Sequence, residues 1–205
     1  MAVTCLSRTL DVADYVALRD ELHYVTEQNI AQAEARRWEY ALALHAIGRW
    51  AESYPLRRWA APVYHIGQPE PQGPSLLYKA TECETVVIDP VQLDDIDGRP
   101  LAPVVTALSV LQSVVNPEAV LYYCSCLLAP GGLLILTFPF WNRCGADTAV
   151  GHEHRRRIYC PKEYTVLRAQ AATYLLTAFG GVDTTWHGTQ VHDYSLASLV
   201  LEKRR

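Results

Sequence analysis

The stretch Val104-Val105-Thr106-Ala107-Leu108-Ser109-Val110-Leu111 begins the pattern that decides the fold. Asn116-Pro117-Glu118 follows it. Leu128-Ala129-Pro130-Gly131-Gly132 then leads into Leu133-Leu134-Ile135-Leu136-Thr137-Phe138-Pro139-Phe140. The first run reads as a strand over Val104 to Val110. Asn116 suits the cap of a helix, and Pro117 suits its first turn, where a missing N–H does no harm. Pro130 cannot donate the next helical hydrogen bond, and Gly131-Gly132 is expected to end the helix and reverse the chain tightly. Leu133 to Phe138 is an unbroken apolar run, which implies a strand buried on both faces, as in a parallel sheet.

The same alternation extends in both directions. Val63-Tyr64-His65-Ile66-Gly67 reads as a short strand ending in glycine, followed by a loop from Gln68 to Pro74 and a short helix over Ser75 to Ala80. Thr85 to Ile88 is a second apolar strand, closed by Asp89-Pro90, with a polar loop through Asp94, Asp95, Asp97 and Gly98. On the other side, Pro161 opens a helix expected to run to about Phe179, where Gly180-Gly181 stops it. Val182 to Trp186 and Tyr194 to Glu202 read as a final strand pair. Strands alternating with helices imply a layered α/β sheet.

Asp11 to Tyr54 is rich in Ala, Glu, Arg and Leu, and reads as helical, with Asp11 as a cap. Leu18, Leu22 and Val25 fall at helical spacing and predict a buried stripe. The aromatics of Arg36-Arg37-Trp38-Glu39-Tyr40 are expected to make core or lid contacts. Residues 1–55 are therefore taken as an N-terminal helical extension, and 56–205 as the main domain.

Composition narrows the function. The 205 residues are 50% apolar and 20% charged, with a net charge of -4 and a pI near 6.0. A chain of this size and apolar content can build a substantial core. It lacks the broad basic surface of nucleic-acid binders, so nucleic acid is not expected as a partner. The runs Arg155-Arg156-Arg157 and Lys203-Arg204-Arg205 read as solvated surface. None of the six cysteines forms a C-x-x-C pair. Cys124 and Cys126 lie about 200° apart around a helix, too far to bond to each other. Free buried thiols and a cytoplasmic location are expected, with no leader, no membrane span and no membrane partner.

The order of elements from Trp38 to Lys203 resembles the class I S-adenosylmethionine-dependent methyltransferases. The "L-x-P-G-G" turn at Leu128 to Gly132, between what look like the family's fourth and fifth strands, is the most specific part. Ser195 to Leu201 is similar to the family's last strand, which runs antiparallel. The resemblance implies an α/β, Rossmann-like class I methyltransferase sheet, mostly parallel with an antiparallel last strand. It would carry helices on both faces and the N-terminal helical extension.

The resemblance also implies a cofactor site. In the family the first strand ends in an acid, followed by three alternating glycines that let the backbone approach the cofactor. Here His65 stands in the acid's place, Gly67 keeps the first glycine, and Pro69 and Pro71 stand where the others belong. Proline offers no N–H and fixes φ near -65°. Gly73 could serve after a shift of the loop. Asp89 matches the acid that accepts from ribose hydroxyls, and it reads equally as a solvated turn residue. The third strand, next to adenine, is expected to be shortened or missing. No acid stands at Ala102-Pro103, and Gln112-Ser113 replaces an acid-histidine pair.

Over the acceptor pocket, the resemblance makes Asp147, His152, His154 and Tyr159 the candidates for catalytic contacts. The same stretch reads also as a polar surface loop. In an extended segment His152-x-His154 would put both rings on one side, where Asp147, His187 or His192 could complete a metal site, but such residues are common by chance in polar loops and no metal is expected. Two functions stay open. One is a methyltransferase, with S-adenosylmethionine as cofactor and a small molecule or glycan as methyl acceptor. The other is a pseudoenzyme that serves as a binding, structural or assembly module through a protein partner or a homo-oligomer.

Overall fold

A computed structural model describes residues 18–27, 34–54, 61–67, 73–141, 158–180 and 195–205. In chain order the elements are α1 (Arg19–Glu27), α2 (Glu34–Ser53), β1 (Val63–Ile66), α3 (Gly73–Thr81), β2 (Thr85–Ile88), a 3-10 turn (Pro90–Gln92), β3 (Ala102–Leu108), α4 (Pro117–Leu127), β4 (Leu128–Phe140), α5 (Pro161–Thr173), β5 (Leu176–Ala178) and β6 (Ser195–Lys203). The strands form one sheet in the order β2-β1-β3-β4-β6-β5. β1 to β4 run parallel, and β6 pairs antiparallel with both β4 and β5.

Side-chain alternation divides the core into two layers. Tyr64, Ile66, Val105, Ala107, Leu134, Leu136 and Phe138 share one buried cluster with Val120, Leu121 and Leu127 of α4 and Tyr164 and Leu167 of α5. Val63, Val104, Leu133 and Ile135 share the other with Leu18, Val25 of α1, Tyr40, Ile47 and Trp50 of α2, and Leu76 and Leu77 of α3. Helices thus cover both faces, and burial on each face drives the layering. Leu18 and Val25 are fully buried and Leu22 packs beside them, as the helical spacing predicts. The proposed cap Asp11 lies outside the described residues.

Three boundaries differ from the sequence reading. α4 ends at Leu127, before Pro130 and the glycines, and Leu128 already pairs with Ala102. The glycines sit in a register shift between that pair and Val104–Leu133. Gly131 takes φ +81°, and a Cβ on Gly132 would lie 2.8 Å from the Ala129 carbonyl oxygen, so neither position tolerates a side chain. α5 ends at Thr173 rather than near Phe179, because Leu175 takes φ +63° and Leu176–Ala178 pairs with β6. That pairing satisfies backbone groups a longer helix would have used. Val182 to Trp186 lies outside the described residues.

The caps follow the sequence. Asn116 accepts from the Ala119 N–H at 3.2 Å with Pro117 in the first turn of α4, and Glu163 accepts from the Cys160 N–H at 3.0 Å with Pro161 opening α5. Cys124 is buried and Cys126 exposed, on opposite sides of α4, and both are free. Cys160 corrects the expectation of free thiols, for it is disulfide-bonded. Sequence spacing carries no information on which thiols the fold brings together. No helix among the described residues is long and apolar enough to cross a membrane.

Candidate functional site

The carboxyl ends of β1, β2 and β3 meet at one edge of the sheet, the usual place for ligands in open α/β folds. Residues 89–101, between β2 and β3, hold only turns. No strand stands between β2 and β3 in the chain, in line with the expectation of a shortened or missing third strand, and β2 is the edge of the sheet.

His65, Gly67 and Asp89 gather at this edge. β1 runs between β2 and β3, with His65 opposite both Val87 and Thr106. His65 is fully buried, and its Nδ1 lies 2.8 Å from Thr106 Oγ1. Burial first, and the Arg36 guanidinium second, lower its pKa to about 4. The ring is consequently neutral at ordinary pH. The Tyr40 ring of α2 lies over it, with centroids 6.3 Å apart. Gly67 takes φ +151°, and its N–H continues the ladder to the Ile88 carbonyl at 3.0 Å.

Asp89 is exposed and directly follows β2. Its Oδ1 accepts from the Val91 N–H at 3.0 Å, capping the 3-10 turn. Gly73 opens α3. Pro69 and Pro71 lie outside the described residues, as do Asp147, His152 and His154.

Tyr159 is placed differently from an acceptor contact. It is buried, its hydroxyl donates to the Leu111 carbonyl at 3.1 Å, and its ring packs 4.7 Å from Phe138. Its backbone bonds Pro139 and Trp141, extending β4. Among the described residues no group of three or more His, Cys, Asp or Glu side chains is placed to hold a metal ion.

The structure adds a polar centre that the sequence did not reveal. Glu39 of α2 is fully buried and accepts at Oε1 from Thr137 Oγ1 at 2.8 Å and from Ser109 Oγ. Arg36 Nη1 donates to Glu39 Oε2 at 2.6 Å and to the Leu108 carbonyl at 2.9 Å. Ser109 takes φ +52°, and its N–H reaches both the carbonyl and the Oγ1 of Thr137 at 3.0 Å. A buried carboxylate persists only with such partners. This centre sits where β3 ends, beside β4, and α2 holds it there. One signal was available. His65, Thr106 and Thr137 are polar positions that all alternate onto the face under α2. Nothing in the helix sequence marked Glu39 as the partner of Thr137.

No family model and no curated protein matches the sequence. Solved structures do match. The chain is similar to the cyclase SpnF, at 14% identity over 94% of this chain and 95% of that one, with a TM-score of 0.53. It is also similar to a protein from Galdieria sulphuraria provisionally assigned as a sarcosine dimethylglycine methyltransferase. That likeness is 8% identity over 99% of this chain and 94% of that one, with a TM-score of 0.52. At such identities the likeness speaks for the backbone arrangement alone. With its parallel strands, its reversed β6 inserted between β4 and β5, and helices on both faces, the chain has the fold of the class I S-adenosylmethionine-dependent methyltransferases.

Proposed function

We propose that this chain is a methyltransferase-fold protein that does not transfer methyl groups from S-adenosylmethionine and serves as a binding module. The observation that carries this reading is His65. At the place of the family's acid stands a neutral imidazole, fully buried and bonded to Thr106. It offers no negative charge to an ammonium group. The Gly67 N–H is held by Ile88, so it is not available to a ligand. The missing third strand removes the wall beside adenine. The cofactor thus fits poorly at its methionine and adenine ends, and no catalytic step is derived through it. A fold kept by apolar packing does not keep a function that needs particular side chains.

Calorimetry of the folded protein with S-adenosylmethionine and with S-adenosylhomocysteine tests the reading. Neither is expected to bind at millimolar concentration. Micromolar binding, abolished by Asp89→Ala, would overturn it.

Asp89 favours a second reading. An exposed carboxylate at the end of β2 suits a ribose, and it supports a small-molecule or glycan methyltransferase with acceptor contacts from Asp147, His152 and His154. The two readings differ also in assembly, since the binding module is expected to work through a protein partner or a second copy of itself. Sedimentation across a concentration series measures the latter.

A further inference from the structure

We propose that the tyrosine cluster of α4 and α5, with Glu118 beside it, is the docking site for a basic segment of a partner protein, whose arginine guanidinium lies over Tyr122 and faces the Glu118 carboxylate. This rests on the binding-module reading and names the surface and the chemistry of its partner.

Tyr122 and Tyr123 lie on α4, and Tyr174 directly follows α5. Tyr123 and Tyr174 pack partly against the core, which holds their rings in place. Tyr122 stands outside that core and is 47% exposed. Its ring centroid lies 5.3 Å from that of Tyr123 and 5.7 Å from that of Tyr174. The rings meet at 63° and 64°, so they form corners rather than a stack that would cover both inner faces. An uncovered ring face attracts a cation, and a planar guanidinium suits it best. Rings already held by the core lose little freedom when a partner arrives.

The charges beside the rings select the sign of the partner. Glu118 is exposed and accepts from the Tyr174 hydroxyl at 3.0 Å and from Gln170 Nε2 at 3.2 Å. Both donors are neutral, and among the described residues no Lys, Arg or His pairs with this carboxylate. Its place in the first turn of α4 suits the helix dipole, which accounts for an acid there but not for the rings around it. A hydrogen bond with Cys126, then the charge of Cys126, burial and the charges of Tyr123 and Asp97 raise the Tyr122 pKa. Burial, then Glu118 and Tyr122, raise that of Tyr174. Both phenols are therefore neutral at ordinary pH, and the carboxylates that act on them, Asp97 and Glu118, are both negative. Lys203, which acts on Cys126, is committed to the carbonyls of Ser125 and Leu128 at 2.7 and 2.9 Å. A basic segment matches this surface, whereas an acidic one meets like charge.

Calorimetry of the full chain with acetyl-tetraarginine amide, against its neutral tetracitrulline counterpart, tests the site. Tetraarginine is expected to bind saturably and tetracitrulline to give no heat. Glu118→Gln and Tyr122→Leu are each expected to weaken binding about two- to fivefold, the scale of one exposed cation–ring contact or charge pair. Glu52→Gln removes the same charge from α2, on the opposite face of the sheet, and is expected to leave the affinity unchanged. Ring signals of Tyr122 and Tyr174 in carbon-13 tyrosine-labelled wild type are expected to shift during the titration, which reads the site without any mutation. Lack of saturation, equal binding of tetracitrulline, or unmoved ring signals would overturn the proposal. So would a loss in Glu52→Gln as large as in Glu118→Gln, since net charge alone then holds the peptide. S-Adenosylhomocysteine is titrated in parallel. Its binding sinks the binding-module reading, whereas a silent tetraarginine peptide sinks the docking site alone.

Discussion

Thr137 Oγ1 donates a 2.8 Å hydrogen bond to Oε1 of the fully buried Glu39, joining the carboxyl-terminal part of β4 to a helix residue 98 positions earlier in the chain. Through this contact α2 is anchored to the carboxyl ends of the central strands by a charge, in addition to the apolar packing of Tyr40, Ile47 and Trp50.

Glu39→Ala is expected to destabilise the fold by about 3 kcal/mol, since removing one member of a buried charged pair leaves its partners unmatched. Arg36 loses its carboxylate, and the hydroxyls of Ser109 and Thr137 lose their acceptor. Urea denaturation measures the change. A double-mutant cycle with Thr137→Val is expected to show coupling of about 0.5–3 kcal/mol, and additive effects would argue against a shared network.

Acid is expected to weaken the fold through His65. Its folded pKa is lowered to about 4, against 6.5 for a free histidine. Between those values the unfolded chain binds a proton that the folded chain does not, so stability falls as pH drops from 6.5 to 4 and then levels off. The full effect is about 3 kcal/mol. Unfolding free energies of wild type and His65→Phe across this range give the test, because the variant is expected to lack this part of the slope.

Gly132→Ala places a methyl group 2.8 Å from the Ala129 carbonyl oxygen and 3.1 Å from that of Ala102. Both neighbours are backbone, so neither can swing away. A loss of about 1–3 kcal/mol is expected, typical of overpacking. A lowered Tm with unchanged far-ultraviolet circular dichroism is the predicted signature.

Asp89→Ala removes the acceptor that caps the 3-10 turn at Val91. For this exposed cap a loss of about 1 kcal/mol or less is expected. Asp89→Asn, which keeps an acceptor oxygen, should recover most of it. A larger loss would mean that the carboxylate has a role in the fold beyond its turn.

The apolar runs of β1 to β4, the cap at Asn116, the opening of α5 at Pro161 and the strand at Ser195 to Leu201 were legible in the sequence, because each depends on a local pattern, whereas the reversal of that last strand came from the family resemblance and β5 fell inside a segment read as helix. Apolar runs report burial, proline and glycine report backbone geometry, and these signals hold wherever the segment ends up. The ends of α4 and α5 were less legible, since pairing of Leu128 with Ala102 and of Leu176 with Lys203 competes with helix formation from a distance. His65, Gly67 and Asp89 could be placed along the chain by the motif they depart from. What His65 does there could not be read. Its burial, its bond to Thr106 and its orphaned Nε2 exist only because β1 lies beside β3 under α2. Glu39 was hidden for the same reason, as one charge among several on its helix until Ser109 and Thr137 from distant segments join Arg36 in donating to it. Local sequence determined which segments become strands and helices. The packing of those segments alone decided which polar groups are desolvated and which partners they meet.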